Sequence, residues 1–187
     1  MKKKHSYLVS EEQIKLIQNW IPLDFKFGTW AHCFYCGTTP ESQDHVIPWS
    51  MMYSVEKHKG SDKGPRTPAC MNCNCILEAS FFDTLHERCI YVKNYLMKKH
   101  SKLLKTEDWT KEELKDIQGK LKNHIINQQN LKKQIEPRVL WQNSKEFISE
   151  FEKAYEKAVA EYPFNNNLHK FMKPHWHHNA VDQQIAV

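Results

Sequence analysis

The sequence predicts an α+β fold: a small core of two short strands and a helix start, carrying a mainly helical C-terminal extension. Three observations predict it. Two Cys-x-x-Cys pairs, Cys33/Cys36 and Cys70/Cys73, share one spacer. Residues 30–48 are rich in aromatic and β-branched side chains set among turn signals, the pattern of short strands. After Cys73, apolar residues recur at helical spacing as far as Pro163.

Taken in order, Ser10-Glu11-Glu12-Gln13 reads as a capping box, followed by Ile14, Ile17 and Ile21 at helical spacing until Pro22. This predicts a lead-in helix within residues 1–29. The core is expected over residues 30–80, with a β-hairpin or two strands at 30–48. Residues 49–68, with Gly60, Gly64, Pro65 and Pro68 among charges, read as a surface loop. Leu85, Cys89, Val92, Leu96 and Leu103 then mark one helix, and Leu114, Ile117, Leu121, Ile125 and Ile135 a second packed antiparallel to it. Thr110-Lys111-Glu112-Glu113 is a capping box with Trp109 set as its staple, and Pro137 is expected to end the second helix. Ser144 caps a third helix running to about Tyr162, where Pro163 stops it. The helical extension thus spans 81–163, and the Asn- and His-rich residues 164–187 read as a loosely packed tail.

At 187 residues the chain suits one substantial domain. Its 40% hydrophobic and 26% charged residues are those of a folded water-soluble protein, and no apolar run is long enough to cross a bilayer. The start, Met1-Lys2-Lys3-Lys4-His5-Ser6, precedes polar sequence instead of an apolar signal core, which predicts a cytoplasmic protein with no membrane partner. A net charge of +5 and a pI near 8.8 suit a phosphate-bearing partner without requiring one.

In a cytoplasmic setting the six cysteines read as metal ligands or core and not as disulfides. Cys33, Cys36, Cys70 and Cys73 can close a tetrahedral shell around a structural Zn²⁺, each two-residue spacer folding a turn that aims both sulfurs inward. Gly37 follows where such a turn needs positive φ. Cys89 lies on an apolar helical stripe and reads as core, and Cys75 lacks the ligand spacing.

Between the pairs stands Asp44-His45-Val46-Ile47-Pro48. Neighbouring strand residues point to opposite faces, so Asp44 and His45 meet at one site only if the strand ends and bends there; Pro48 favours such an ending. Asn74 is next to Cys73 at a helix start, so a single zinc is expected to bring Asp44, His45 and Asn74 near a common point.

Cys-x-x-Cys-Gly, Asp-His-x-x-Pro and Cys-x-x-Cys-Asn, in this order over about residues 30–80, resemble the zinc-containing HNH endonucleases with their ββα-metal core. The resemblance implies a metal-dependent DNA endonuclease. It makes His45 the general base, and Asp44 and Asn74 the ligands of a catalytic Mg²⁺ or Mn²⁺. Oxygen donors suit such a hard cation, and a histidine of ordinary pKa is able to accept a proton near neutral pH. Double-stranded DNA is the implied substrate, in a bacterial or phage-infected cell. The sequence departs from the family at two places: the middle asparagine of the triad falls on Pro65, and a frequent lysine falls on Leu77.

Lys57, Lys59, Lys63 and Arg66 are the expected phosphate contacts, with Lys93, Lys98, Lys99, Lys102 and Lys105 as a weaker second group or a solvated helix face. His169, His175, His177 and His178 carry no defined ligand spacing. Trp141 reads as core, with base stacking as its alternative. A further likeness, Trp-x-x-Glu-Glu-Leu at 109–114, points to small phage or bacterial HNH proteins. A nuclease with one site would dimerise or act twice to cut both strands, and the apolar helix faces would serve a homodimer. The competing readings are a zinc-stapled module that binds nucleic acid or protein without turnover, and a purely structural zinc protein.

Overall fold

The computed structural model describes residues 26–29, 31–48, 65–78 and 80–174; the lead-in helix, Lys57, Lys59, Lys63, His175, His177 and His178 lie outside them. The fold is α+β. Strand β1 (Ser42–His45) pairs antiparallel with β2 (Arg66–Ala69), and α1 (Met71–Leu77) follows at once. Then come α2 (Leu85–Lys99), α3 (Ser101–Leu104), a 3₁₀ turn (Glu113–Lys115), α4 (Gly119–Leu140), a second 3₁₀ turn (Trp141–Asn143), α5 (Lys145–Glu161) and α6 (Asn166–Met172).

The two strands are not a local hairpin within 30–48. The partner of β1 lies in the stretch read as loop, and the residue that hid it is Pro68. The register sets Gln43 opposite Pro68 and Asp44 opposite Thr67, and the Val46 N–H donates to the Pro65 carbonyl at 3.0 Å, continuing the ladder. Hydrogen-bonded and open pairs alternate in such a ladder, so Gln43/Pro68 is an open pair and the missing proline N–H costs the sheet no bond. The Pro68 carbonyl instead accepts from Phe34 N–H (2.9 Å), and the Arg66 carbonyl from Phe27 N–H (2.8 Å).

Helix α2 begins at a full capping box: Glu87 N–H donates to Thr84 Oγ1 at 3.1 Å, and Thr84 N–H to Glu87 Oε2 at 3.3 Å. Its buried stripe is Leu85, Arg88, Cys89, Val92 and Leu96, apolar except for one fully buried arginine. The box at Thr110 forms as expected, with Glu113 N–H to Thr110 Oγ1 at 3.2 Å, yet it opens only a 3₁₀ turn; the long helix starts at Gly119.

Pro137 does not end that helix. It sits inside α4 on an exposed face, where the Lys133 carbonyl that loses its donor can turn to water. Ser144 caps α5 as the sequence predicts, its Oγ accepting Phe147 N–H at 3.1 Å, and the helix ends at Glu161.

The residues after Pro163 are not a loose tail throughout. Asn165 caps α6, and Leu168, Phe171 and Met172 fall on one helical face and are buried, with the Phe171 ring 6.4 Å from Phe27. One hydrophobic cluster runs from Phe27 through the cysteines to Met172. Residue 80/81 therefore marks no break in the core: Phe34 packs on Phe147 and Phe151 of α5, at ring separations of 5.5 and 5.7 Å.

Candidate metal centre and the strand end beside it

The turn at Cys33 is drawn tight by its own backbone. Gly37 N–H donates to the Cys33 carbonyl at 2.8 Å, and Cys33 N–H to the Thr38 carbonyl at 2.6 Å. Gly37 has φ +71°, and a Cβ there would lie 2.4 Å from the Trp141 ring, so this glycine meets both a left-handed backbone and a close ring. The indole of Trp141 also donates to the Phe34 carbonyl at 3.1 Å, seating the end of α4 on the knuckle. On the other side Cys70 caps α1, and its Sγ accepts Cys73 N–H at 3.4 Å.

These two turns bring the sulfurs of Cys33, Cys36, Cys70 and Cys73 within 4.8 Å of one another, all four residues buried. A tetrahedron with zinc–sulfur bonds of about 2.3 Å has edges of about 3.8 Å. Cys36 and Cys70 stand 3.7 Å apart, so the cluster can hold a metal ion such as zinc. Metal binding needs thiolates. Hydrogen bonding with Cys33 lowers the pKa of both Cys36 and Cys70, while hydrogen bonding with Cys36 raises that of Cys33 and hydrogen bonding with Cys33 raises that of Cys73. Arg138 Nη2 lies 3.8 Å from Cys70 Sγ. Burial works against its charge, and the nearby Cys36, Cys73 and Cys70 outweigh that and raise its pKa. Cys75 is exposed and outside the cluster, and Cys89 is core.

The β1 end is organised by a residue the sequence reading passed over. Arg88, on α2, is 0% exposed, and its guanidinium forks onto the Asp44 carboxylate: Nη2 to Oδ1 at 2.8 Å and Nε to Oδ2 at 3.0 Å. The guanidinium reaches further acceptors. Nη1 donates to the Ser80 carbonyl (2.8 Å) and Nη2 also to the His45 carbonyl (3.2 Å), while the single Nε hydrogen is shared between Asp44 and Tyr35 Oη (3.1 Å); the Phe82 ring lies 5.4 Å from the guanidinium carbon. The Tyr35 hydroxyl donates to Asp44 Oδ2. Burial is the largest influence on both residues: it raises the Tyr35 pKa, and it opposes the charge of Arg88, whose pKa the neighbouring Tyr35 and Asp44 nonetheless hold above its ordinary value. The available signal was a charge at i+3 on an apolar stripe, which must have a buried partner.

Asp44 and His45 do not turn to one side as expected. Strand alternation sends Asp44 to the core face beside Thr67, and His45, half-buried, to the opposite face beside Arg66. The Asn74 amide donates to Ser42 Oγ at 3.2 Å and to the Gln43 carbonyl at 3.3 Å, so it pins α1 to the first half of β1. The strand does end at His45, and the chain bends at Val46 and Ile47, after Asp44 and His45 have already been sent to opposite faces. Both oxygens of Asp44 are engaged in a site 2% exposed, so this carboxylate does not fit the hard divalent cation assigned to it.

Among the expected phosphate contacts, Arg66 is the described one. It is the cross-strand partner of His45, and its Nη1 donates to Gln43 Oε1 at 2.7 Å. Lys98, Lys99, Lys102 and Lys105 are exposed, Lys99 lying 5.9 Å over the Tyr95 ring, while Lys93 is tied to Asn143 at 3.2 Å. Among the described residues no helix is long and apolar enough to cross a membrane. Comparison with family models, with curated proteins and with solved structures finds no match to this chain.

Proposed function

We propose that the chain is an endonuclease of the HNH kind, stapled by a structural Zn²⁺ in the four cysteines, that hydrolyses DNA phosphodiester bonds with His45 as the general base. One observation carries the reading. A strand ending in Asp44-His45, its antiparallel partner and a helix bearing Asn74 follow one another around a single four-cysteine cluster. The imidazole of His45 shares a face with Arg66, so a proton acceptor and a phosphate-binding cation stand side by side. Because Asp44 is engaged by Arg88, no step is assigned to a Mg²⁺ or Mn²⁺ ion at that carboxylate; a requirement for either ion is one of the quantities the test measures.

The test is supercoiled-plasmid nicking by the zinc-loaded protein with Mg²⁺, with Mn²⁺ and with no added cation, beside His45→Ala. Nicking by the parent, lost in His45→Ala at unchanged zinc content, is the expected result. A His45→Ala protein that nicks at the parental rate removes His45 from the reaction.

A second reading is favoured by the same Asp44–Arg88 pair: a zinc-stapled module that binds nucleic acid or protein without turnover. It requires saturable binding to duplex DNA or to a partner, with no cleavage under either cation.

A further inference from the structure

We infer that Arg88 is a positioning residue for His45, holding the His45–Val46 peptide in a two-sided clamp that it completes together with Pro65. The inference rests on the reading of His45 as the reacting base, though the clamp itself is a matter of geometry. The two polar groups of that one peptide are held from opposite directions. The Val46 N–H donates across the sheet to the Pro65 carbonyl at 3.0 Å, and the His45 carbonyl accepts Arg88 Nη2 at 3.2 Å.

Sheet alternation explains why an arginine is needed. With Val46 bonded to Pro65, the His45/Arg66 pair is an open one, and the carbonyl of an open pair points away from the neighbouring strand. At the last residue of β1 that carbonyl would be a part-buried acceptor without a ladder partner, which the fold supplies from elsewhere. Arg88 supplies it from α2, with a guanidinium whose direction is already fixed by Asp44, Ser80 and Phe82. A peptide held at both ends restricts ψ of His45 and φ of Val46, and so the direction of the His45 Cα–Cβ bond from which the imidazole is carried. Asp44 then has a role that needs no cation: it aims and neutralises the arginine that aims the histidine.

Arg88→Lys tests this, because lysine keeps a positive charge beside Asp44 and lacks the planar fork that reaches Asp44 and the His45 carbonyl together. Two readouts are taken on the zinc-loaded protein: amide hydrogen exchange at Val46 by NMR, against the exchange of Asp44 and Thr67 as internal reference, and plasmid-nicking kinetics. The expected result is a Val46 amide that exchanges at least tenfold faster with the reference amides changed less than threefold. Nicking should lose at least tenfold in kcat with KM within threefold. Unchanged Val46 exchange overturns the clamp, whether or not the parent nicks. Quickened exchange with parental kcat overturns the positioning role. A parent that never nicks removes the reading of His45 as the base, and the exchange result still decides the clamp. If Arg88→Lys loses its zinc or its fold, Asp44→Asn combined with Arg88→Gln removes both charges together and is held to the same two criteria.

Discussion

The guanidinium of Arg88 and the carboxylate of Asp44 form a two-pronged ion pair, 2.8 and 3.0 Å long, between side chains 0% and 2% exposed. It ties α2 to the end of β1 across 44 positions of sequence. A buried pair of this kind adds little over well-packed apolar groups, but breaking it on one side leaves a charge with no solvent. Asp44→Ala should therefore lose about 3–5 kcal/mol of stability, and Asp44→Leu combined with Arg88→Met should recover most of it. Urea unfolding at saturating zinc checks both; a cost under about 0.5 kcal/mol for Asp44→Ala would mean that water reaches Arg88.

The same engagement makes a statement about cations. With both oxygens committed to Arg88 and Tyr35, Asp44 should not contribute to Mn²⁺ affinity. Asp44→Asn is expected to leave the Mn²⁺ dissociation constant, read by electron paramagnetic resonance, within threefold of the parent. A tenfold or larger weakening would show that the carboxylate leaves Arg88 to bind the ion.

Four converging sulfurs join two segments of the chain, the turn at Cys33 and the start of α1, so an ion held there should be part of folding free energy. We expect one zinc per chain, a cobalt(II) derivative with the ligand-field bands of a tetrahedral tetrathiolate, and loss of both in Cys33→Ser and Cys70→Ser. Cys75→Ser, at an exposed position outside the cluster, should keep the metal. Zinc content by elemental analysis decides; a Cys75→Ser protein without metal would mean that the ligand set is wrong.

The cysteine cluster was legible because its signal is local: two spacers and four thiols state the chemistry before any fold is known. Ser144 was legible for a similar reason, as a cap acts within one helical turn. β2 was hidden by Pro68, which as a rule disfavours a strand and is harmless here only because of a register that the sequence does not state. The 3₁₀ turn at Glu113 shows the converse case, with the capping bonds made and the helix delayed to Gly119. Arg88 was hidden in another way. Its place on the stripe of α2 is visible, but its partner lies in a different element, and no periodicity links them. That omission matters most for the site, because it assigned Asp44 a cation when the fold gives it an arginine. The divergence of Asp44 and His45, in contrast, follows from plain strand alternation once the bend is seen to fall after His45, at Val46 and Ile47.

Gly37 joins the knuckle to the helical extension more tightly than the turn alone requires. At φ +71° any side chain costs about 1–2 kcal/mol, and here a methyl group would also meet the Trp141 ring at 2.4 Å. Trp141 cannot retreat freely, since its indole N–H is bonded to the Phe34 carbonyl and its ring packs on Phe147 at 6.2 Å. Gly37→Ala should therefore cost about 3 kcal/mol or more, the backbone strain adding to the overpacking. Trp141→Ala alone should also destabilise, by about 3–5 kcal/mol, through the cavity it leaves. The combination separates the two causes. If the clash dominates, Gly37→Ala adds little once Trp141→Ala is present, and if the left-handed backbone dominates, the cost of Gly37→Ala is the same in both backgrounds. The ring lies so close that we expect the clash to be the larger part, so that the double variant is more stable than the sum of the single costs predicts. Urea unfolding of all four proteins at fixed zinc concentration measures that difference, and strict additivity would place the whole effect in the backbone.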